Sequence, residues 1–95
     1  MAIPNFLQTY LASYELSSLD IKRDRDLIIT EILNKGDEKA IVWLGKNYTV
    51  KDIKSVVSKP TRGMWLESTL NYWLKILNIG LPPEIKKKAI INLNP

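Results

Sequence analysis

The chain has no cysteine and no histidine among its 95 residues. The first absence excludes disulfides, thiolate metal sites and cysteine nucleophiles. The second removes the side chain that titrates nearest neutrality, and with it the usual activating base for a serine. Glycine is scarce as well: four residues stand alone at helix ends, in a loop and within Leu44-Gly45-Lys46, so no glycine-rich loop can cradle a phosphate. No apolar run approaches the roughly 20 residues that span a bilayer. Met1-Ala2-Ile3-Pro4 has no basic segment ahead of an apolar run, so no signal peptide is expected. These absences predict a cytoplasmic protein with no membrane association, no catalytic residues, no metal ligands and no cofactor.

What is present suits one domain covering residues 1–95, large enough to bury roughly 60–65% of its unfolded surface in a single core. Fourteen Lys and Arg against ten Asp and Glu give a formal net charge of +4. That excess fits contact with nucleic acid or with an acidic protein surface, and equally an ordinary solvated exterior.

The apolar periodicity predicts an all-α fold, a compact five- to six-helix bundle. Phe6, Leu7, Tyr10 and Leu11 suggest a first helix from Asn5 to about Ser13, followed by a connection that tucks Leu16 and Leu19 against the core. Asp20 is the expected N-cap of a second helix whose stripe is Ile21, Ile28, Ile32 and Leu33, with Gly36 in the left-handed position that ends it. Asp37 should cap a third helix burying Ala40, Ile41, Trp43, Leu44 and Tyr48. Thr49, with Asp52 three residues on, resembles a capping box for a fourth. There Val50, Ile53, Val56 and Val57 are expected to face inward, and Lys59-Pro60 to end the helix. A fifth helix is expected over Trp65–Asn78, closed by Gly80, with Leu66, Leu70, Trp73, Leu74 and Leu77 as its apolar stripe. Pro82-Pro83 can start a sixth through Lys88. The tail from Ala89 to Pro95 fits either helix or extended chain.

The ten carboxylates are accounted for by caps, first turns and surface pairs, and the six serines have no histidine beside them. An enzyme is therefore not expected. The stretch from Thr49 to Leu77 instead resembles a helix-turn-helix, giving the C-terminal half of the bundle that character. The early polar residues of its second helix, Ser68, Asn71 and Lys75, would meet base edges, and Lys51, Lys54, Lys59 and Arg62 would lie near phosphates. Its connection is longer than the 3–4 residues usual for that motif, and two packed helices of a bundle produce the same pattern. Met64, Trp65 and Tyr72 make the fifth helix apolar around much of its circumference. It is either central to the core or carries a protein-binding patch.

Leu19-Asp20, Asp26-Leu27-Ile28-Ile29, Ile32-Leu33, Gly36-Asp37, Trp43-Leu44, Tyr48, Asp52-Ile53-Lys54 and Thr69-Leu70-Asn71-Tyr72-Trp73 follow one another in an order that resembles a small bacterial helical domain family of unknown function. Members of that family are described mostly as hypothetical proteins or antitoxins, often encoded beside nucleotidyltransferase-like toxins of the abortive-infection type. The resemblance runs from about residue 19 to 79, leaving residues 1–18 as an N-terminal helix and connection and residues 81–95 as a C-terminal extension. Two features depart from the family: Tyr10-Leu11-Ala12 stands where an aromatic pair and an acid are common, and only Lys59 and Arg62 stand where members tend to be arginine-rich. The resemblance implies a non-enzymatic antitoxin-like role in a toxin–antitoxin or phage-defence pair, with a nucleotidyltransferase-like toxin as partner protein. Duplex DNA is the alternative or additional partner, an uncharacterised interaction domain is a further alternative, and a homodimer is compatible with either.

Overall fold

Asp37 and Thr49 each begin a helix with their own side chains. The Asp37 carboxylate accepts the Ala40 backbone N–H at 2.9 Å. Thr49 Oγ1 accepts the Asp52 N–H at 3.1 Å while Asp52 Oδ2 accepts the Thr49 N–H at 3.0 Å, a reciprocal capping box. In the computed structural model, which describes residues 3–91, five α-helices follow in order. They are α1 (Arg25–Lys35), α2 (Glu38–Asn47), α3 (Val50–Ser58), α4 (Glu67–Ile76) and α5 (Pro83–Ala89). The fold is all-α, and its only β-type pairing among the described residues is an isolated parallel bridge between Trp65 and Ile90. No helix of the described residues is long and apolar enough to cross a membrane.

The helix at the centre is α1, not the one carrying Trp73 and Leu74. Ile28 through Leu33 are all buried, and α1 packs against α2, α3 and α4. So complete a burial takes in Thr30 and Glu31; Lys35 Nζ meets the Glu31 carboxylate at 2.8 Å, one turn away. Ile3, Leu7, Leu11, Ala40, Leu44, Tyr48, Val56, Val57, Trp65, Leu70 and Ala89 complete the core, so each of the five helices contributes to it.

Several local expectations are corrected. Residues 5–13 form a 3₁₀ turn over Asn5–Thr9 and then irregular turns, fastened by Gln8 Nε2 donating to the carbonyls of Leu11 (3.1 Å) and Tyr14 (2.8 Å). Asp20 does cap, accepting the N–H groups of Lys22 (2.9 Å) and Arg23 (2.7 Å), but the single turn it starts precedes α1, which begins at Arg25. Gly36 is extended at φ −70°, ψ 149°, not left-handed. Glycine is needed there for space, since a Cβ would lie 2.6 Å from the Ile32 carbonyl oxygen. The left-handed residue that ends α4 is Asn78 (φ 55°), not Gly80. Its N–H bonds the Lys75 carbonyl at 3.2 Å and the Ile79 N–H bonds that of Leu74 at 2.8 Å, the paired closure of a Schellman turn. Val50 is 63% exposed and Leu66 41% exposed, because each stands at the edge of its helix's first turn and not on its buried stripe.

Candidate functional site

The α3–α4 half is assembled from three directions. Lys59 ends α3 and Leu66 precedes α4, so the connection between them runs from 59 to 66, well beyond a tight helix-turn-helix turn. From the centre, the Asn34 side chain of α1 bridges Met64 and Leu66 of this connection. From the C-terminal side, residues 88–91 pair with it along the backbone. A long connection is thereby held at its middle and at its end.

On α4, Glu67, Ser68, Asn71, Tyr72, Lys75 and Ile76 are exposed while Leu70 is buried. Ser68, Asn71 and Lys75 stand three and four residues apart, so they share one outward face, as expected. Lys51 and Lys54 are exposed on α3, and Lys59 and Arg62 on the connection. Among the described residues the ion pairs involve Arg23, Arg25 and Lys35 alone, so neither Arg62 nor any of these four lysines has a carboxylate partner there.

The three expected partner-binding residues do not stay together. Tyr72 is 57% exposed, with its ring edge-on to Trp73 at 5.3 Å. Met64 is half-buried, its carbonyl accepting from Asn34. Trp65 is a correction: it is fully buried, lies before α4 in the bridge to Ile90, and belongs to the core. Its indole Nε1 has no hydrogen-bond partner among the described residues, so packing holds the ring while the backbone makes the polar contacts.

Two features escape the sequence reading. One is Asn34, whose position on a helix gives no sign of the contact thirty residues away. The other is Lys86-Lys87-Lys88 in the last turn of α5, placed beside Gly63 by a backbone bond. The run itself is a signal, and so is the division of charge. Up to Gly45 the chain has five Lys and Arg against seven acids; from Lys46 onward it has nine against three.

Two clefts flank this half. One, of about 830 Å³, is lined by residues 21–27 together with Asn47, Tyr48, Asp52, Thr61 and Met64. Apart from Lys22, its charges are paired internally: Arg23 with Asp24 at 2.8 Å, and Arg25 with Asp26 at 3.1 Å and Asp52 at 3.4 Å. The Arg23 guanidinium holds Asp24 below the usual carboxylate range, and the Thr49 backbone N–H and hydroxyl do the same for Asp52. Both stay ionised, the opposite of what a general acid near neutrality needs. Burial, with the nearby carboxylates of Asp52, Asp20 and Asp24, pushes the Tyr48 phenol up to about 12. It donates to the Ile21 carbonyl at 2.8 Å and is a structural tie across the cleft.

The other cleft, of about 490 Å³, lies between α2 and α4. Ile41, Val42, Tyr72 and Trp73 form its apolar walls, and Asp37 and Glu38 stand at one end with no lysine or arginine in the lining. Among the described residues no group of three or more carboxylates gathers as a metal site would require.

Residues 11–57 match the model of a family of unknown function, DUF6922. That match ends in the last turn of α3, so the connection, α4 and α5 lie beyond it. The chain is also similar to the large ribosomal subunit protein uL23c of Physcomitrium patens, 37% identical over 51 residues, which are 54% of this chain and 56% of that protein. The chain thus spans little more than half the length of this curated relative. No solved structure matches the chain.

Proposed function

We propose that this domain is a non-enzymatic binding protein that contacts duplex DNA through its α3–α4 half, with Ser68, Asn71 and Lys75 of α4 toward base edges and Lys51, Lys54, Lys59 and Arg62 toward phosphates. The observation that carries this reading is the excess of nine Lys and Arg over three acids from Lys46 onward, on a chain whose other half is slightly acidic, with Lys51, Lys54, Lys59, Arg62 and Lys75 exposed and without carboxylate partners among the described residues. Ser68, by contrast, borders the cleft that Asp37 and Glu38 line. A mobility-shift or anisotropy titration with the DNA upstream of the gene tests it. Affinity should fall steeply as salt rises, and Arg62→Ala should weaken binding to every sequence alike. Absence of binding at low salt would end this reading.

A second reading places the domain in an antitoxin-like role, binding a partner protein such as a nucleotidyltransferase-like toxin in the cytoplasm. It is favoured by the α2–α4 cleft, where exposed Tyr72 and Val42 meet an acidic end. The complementary occupant is a partner segment with an apolar face and a basic flank. Co-expression with the neighbouring gene product should give a complex that Tyr72→Glu disrupts. Failure to co-purify, or a complex indifferent to that substitution, would remove this reading.

A further inference from the structure

Residues 88–91 are stapled to the α3–α4 connection by three backbone bonds. The Gly63 N–H donates to the Lys88 carbonyl at 3.0 Å, the Trp65 N–H to that of Ala89 at 2.9 Å, and the Ile91 N–H to that of Trp65 at 2.8 Å. Trp65 and Ala89, at the centre of this pairing, are 0% and 1% exposed. The end of α5 therefore cannot leave the connection without uncovering an indole, so its position relative to Arg62 is fixed. Lys86, Lys87 and Lys88 occupy the last turn of α5, and Arg62 immediately precedes the first residue of the pairing. Lys87, Lys88 and Arg62 are exposed and have no carboxylate within ion-pair distance among the described residues.

Lysines at a helix C-terminus also interact favourably with the helix dipole, which accounts for a cation there. It does not account for the staple, which brings a run of three to the one loop already carrying Arg62. We infer that Lys87 and Lys88 join Arg62 as a phosphate-contacting flank, so that the C-terminal helix is part of the duplex DNA interface and α4 is not its only element. This rests on the DNA-binding reading above.

The test uses the full chain and a labelled mixed-sequence DNA duplex, following the logarithm of affinity against the logarithm of salt concentration. Each phosphate contact contributes about 0.9 to that slope, so Lys87→Ala with Lys88→Ala should flatten it by about 2. Lys87→Arg with Lys88→Arg should keep the wild-type slope. Lys22→Ala with Lys46→Ala, which removes the same charge from elsewhere, should change it much less. An unchanged slope in the Lys87/Lys88 alanine variant overturns the inference and leaves the DNA reading standing. Equal flattening by the Lys22/Lys46 variant overturns it too, since net charge alone would then be responsible. No salt-dependent binding by the wild type overturns both. Alanine is a strong helix former at exposed sites, and the circular dichroism of each variant verifies that α5 persists.

Discussion

Asn34 and Leu66, far apart in sequence, are joined at the point where α4 begins: Asn34 Oδ1 accepts the Leu66 backbone N–H at 3.0 Å. Leu66 occupies the N-cap position of α4 and has no side chain able to cap. The carboxamide also donates from Nδ2 to the carbonyls of Met64 (3.2 Å) and Thr30 (2.8 Å). One side chain of the central helix thus satisfies backbone groups that the connection leaves open. It also ties the candidate interface to the core.

Asn34→Ala should therefore destabilise the domain by about 1–3 kcal/mol, the range for losing hydrogen bonds at partly buried backbone groups. The check is urea unfolding, in which the midpoint should fall with no change of slope. Asn34→Asp keeps an acceptor for Leu66 but, in the last turn of α1, sets a carboxylate oxygen against the Thr30 and Met64 carbonyls, so it should be no more stable than alanine. A wild-type midpoint in Asn34→Ala would show that the connection is held by the C-terminal pairing alone.

Two glycines should respond in opposite directions to the same substitution. At Gly36 a new Cβ would sit 2.6 Å from the Ile32 carbonyl oxygen and 3.0 Å from the Ala40 side chain. Backbone must move to admit it, and Gly36→Ala should cost more than about 1 kcal/mol. Gly45 lies within α2, and nothing stands within 4 Å of the place a methyl group would take. Gly45→Ala should stabilise by about 0.5–1 kcal/mol through helix propensity and a less free unfolded chain. Thermal melts of the two variants, moving apart from wild type, are the measurement.

The elements legible in the sequence are those whose determinants are local. Thr49 and Asp52 are three residues apart, and Asp37 bonds Ala40 within one turn, so both helix starts can be placed from spacing. Lys59-Pro60 ends α3 for a reason contained in two residues. What misleads are positions decided by distant contacts. Trp65 reads as the start of a helix, but its N–H and carbonyl are claimed by Ala89 and Ile91, so it pairs in an extended segment and enters the core. The centre of the bundle also escapes the pattern. A helix buried all round shows no polar stripe, and Thr30 and Glu31 disguise α1 as an ordinary amphipathic element. Within the candidate interface, the α4 face is legible from its period, whereas the approach of Lys88 to Gly63 depends on pairing that no periodicity encodes.

Stability should have limits on both sides of neutrality. Asp20, Asp24, Asp37 and Asp52 are held below the ordinary carboxylate range, by the Arg23 and Lys22 N–H groups, the Arg23 guanidinium, the Ala40 N–H and the Thr49 N–H respectively. Lowered folded values mean that their stabilisation is complete above the unfolded value near ~3.9 and is lost as pH falls through the folded ones. Tyr48 works in the reverse sense. With its phenol at about 12, its contribution is complete below the unfolded value near ~10 and is lost as pH rises between the two. Tyr48→Phe should cost about 1 kcal/mol at neutral pH by removing the bond to the Ile21 carbonyl. It should also reduce the alkaline loss, leaving the smaller part due to Tyr10 beside Asp37. Melting temperature followed against pH for the two proteins gives both limbs.

The division of labour proposed for the interface separates Asn71 from Arg62. Asn71 lies on the exposed face of α4 between Ser68 and Lys75, and its carboxamide can both donate and accept, the combination that pairs with the major-groove edge of adenine. Arg62 lies on the connection before the backbone pairing, where a guanidinium meets phosphate without regard to sequence. Asn71→Ala should therefore reduce discrimination between preferred and scrambled duplexes by about 1–3 kcal/mol while leaving the salt slope unchanged. Arg62→Ala should lower affinity for both duplexes equally and flatten the slope by about 0.9. Competition titrations with the two duplexes at several salt concentrations read both quantities from one data set. If Asn71→Ala instead weakens both duplexes alike, α4 is not reading bases, and its outward face is better assigned to the partner protein of the second reading, whose cleft Ser68 and Tyr72 line on the same helix.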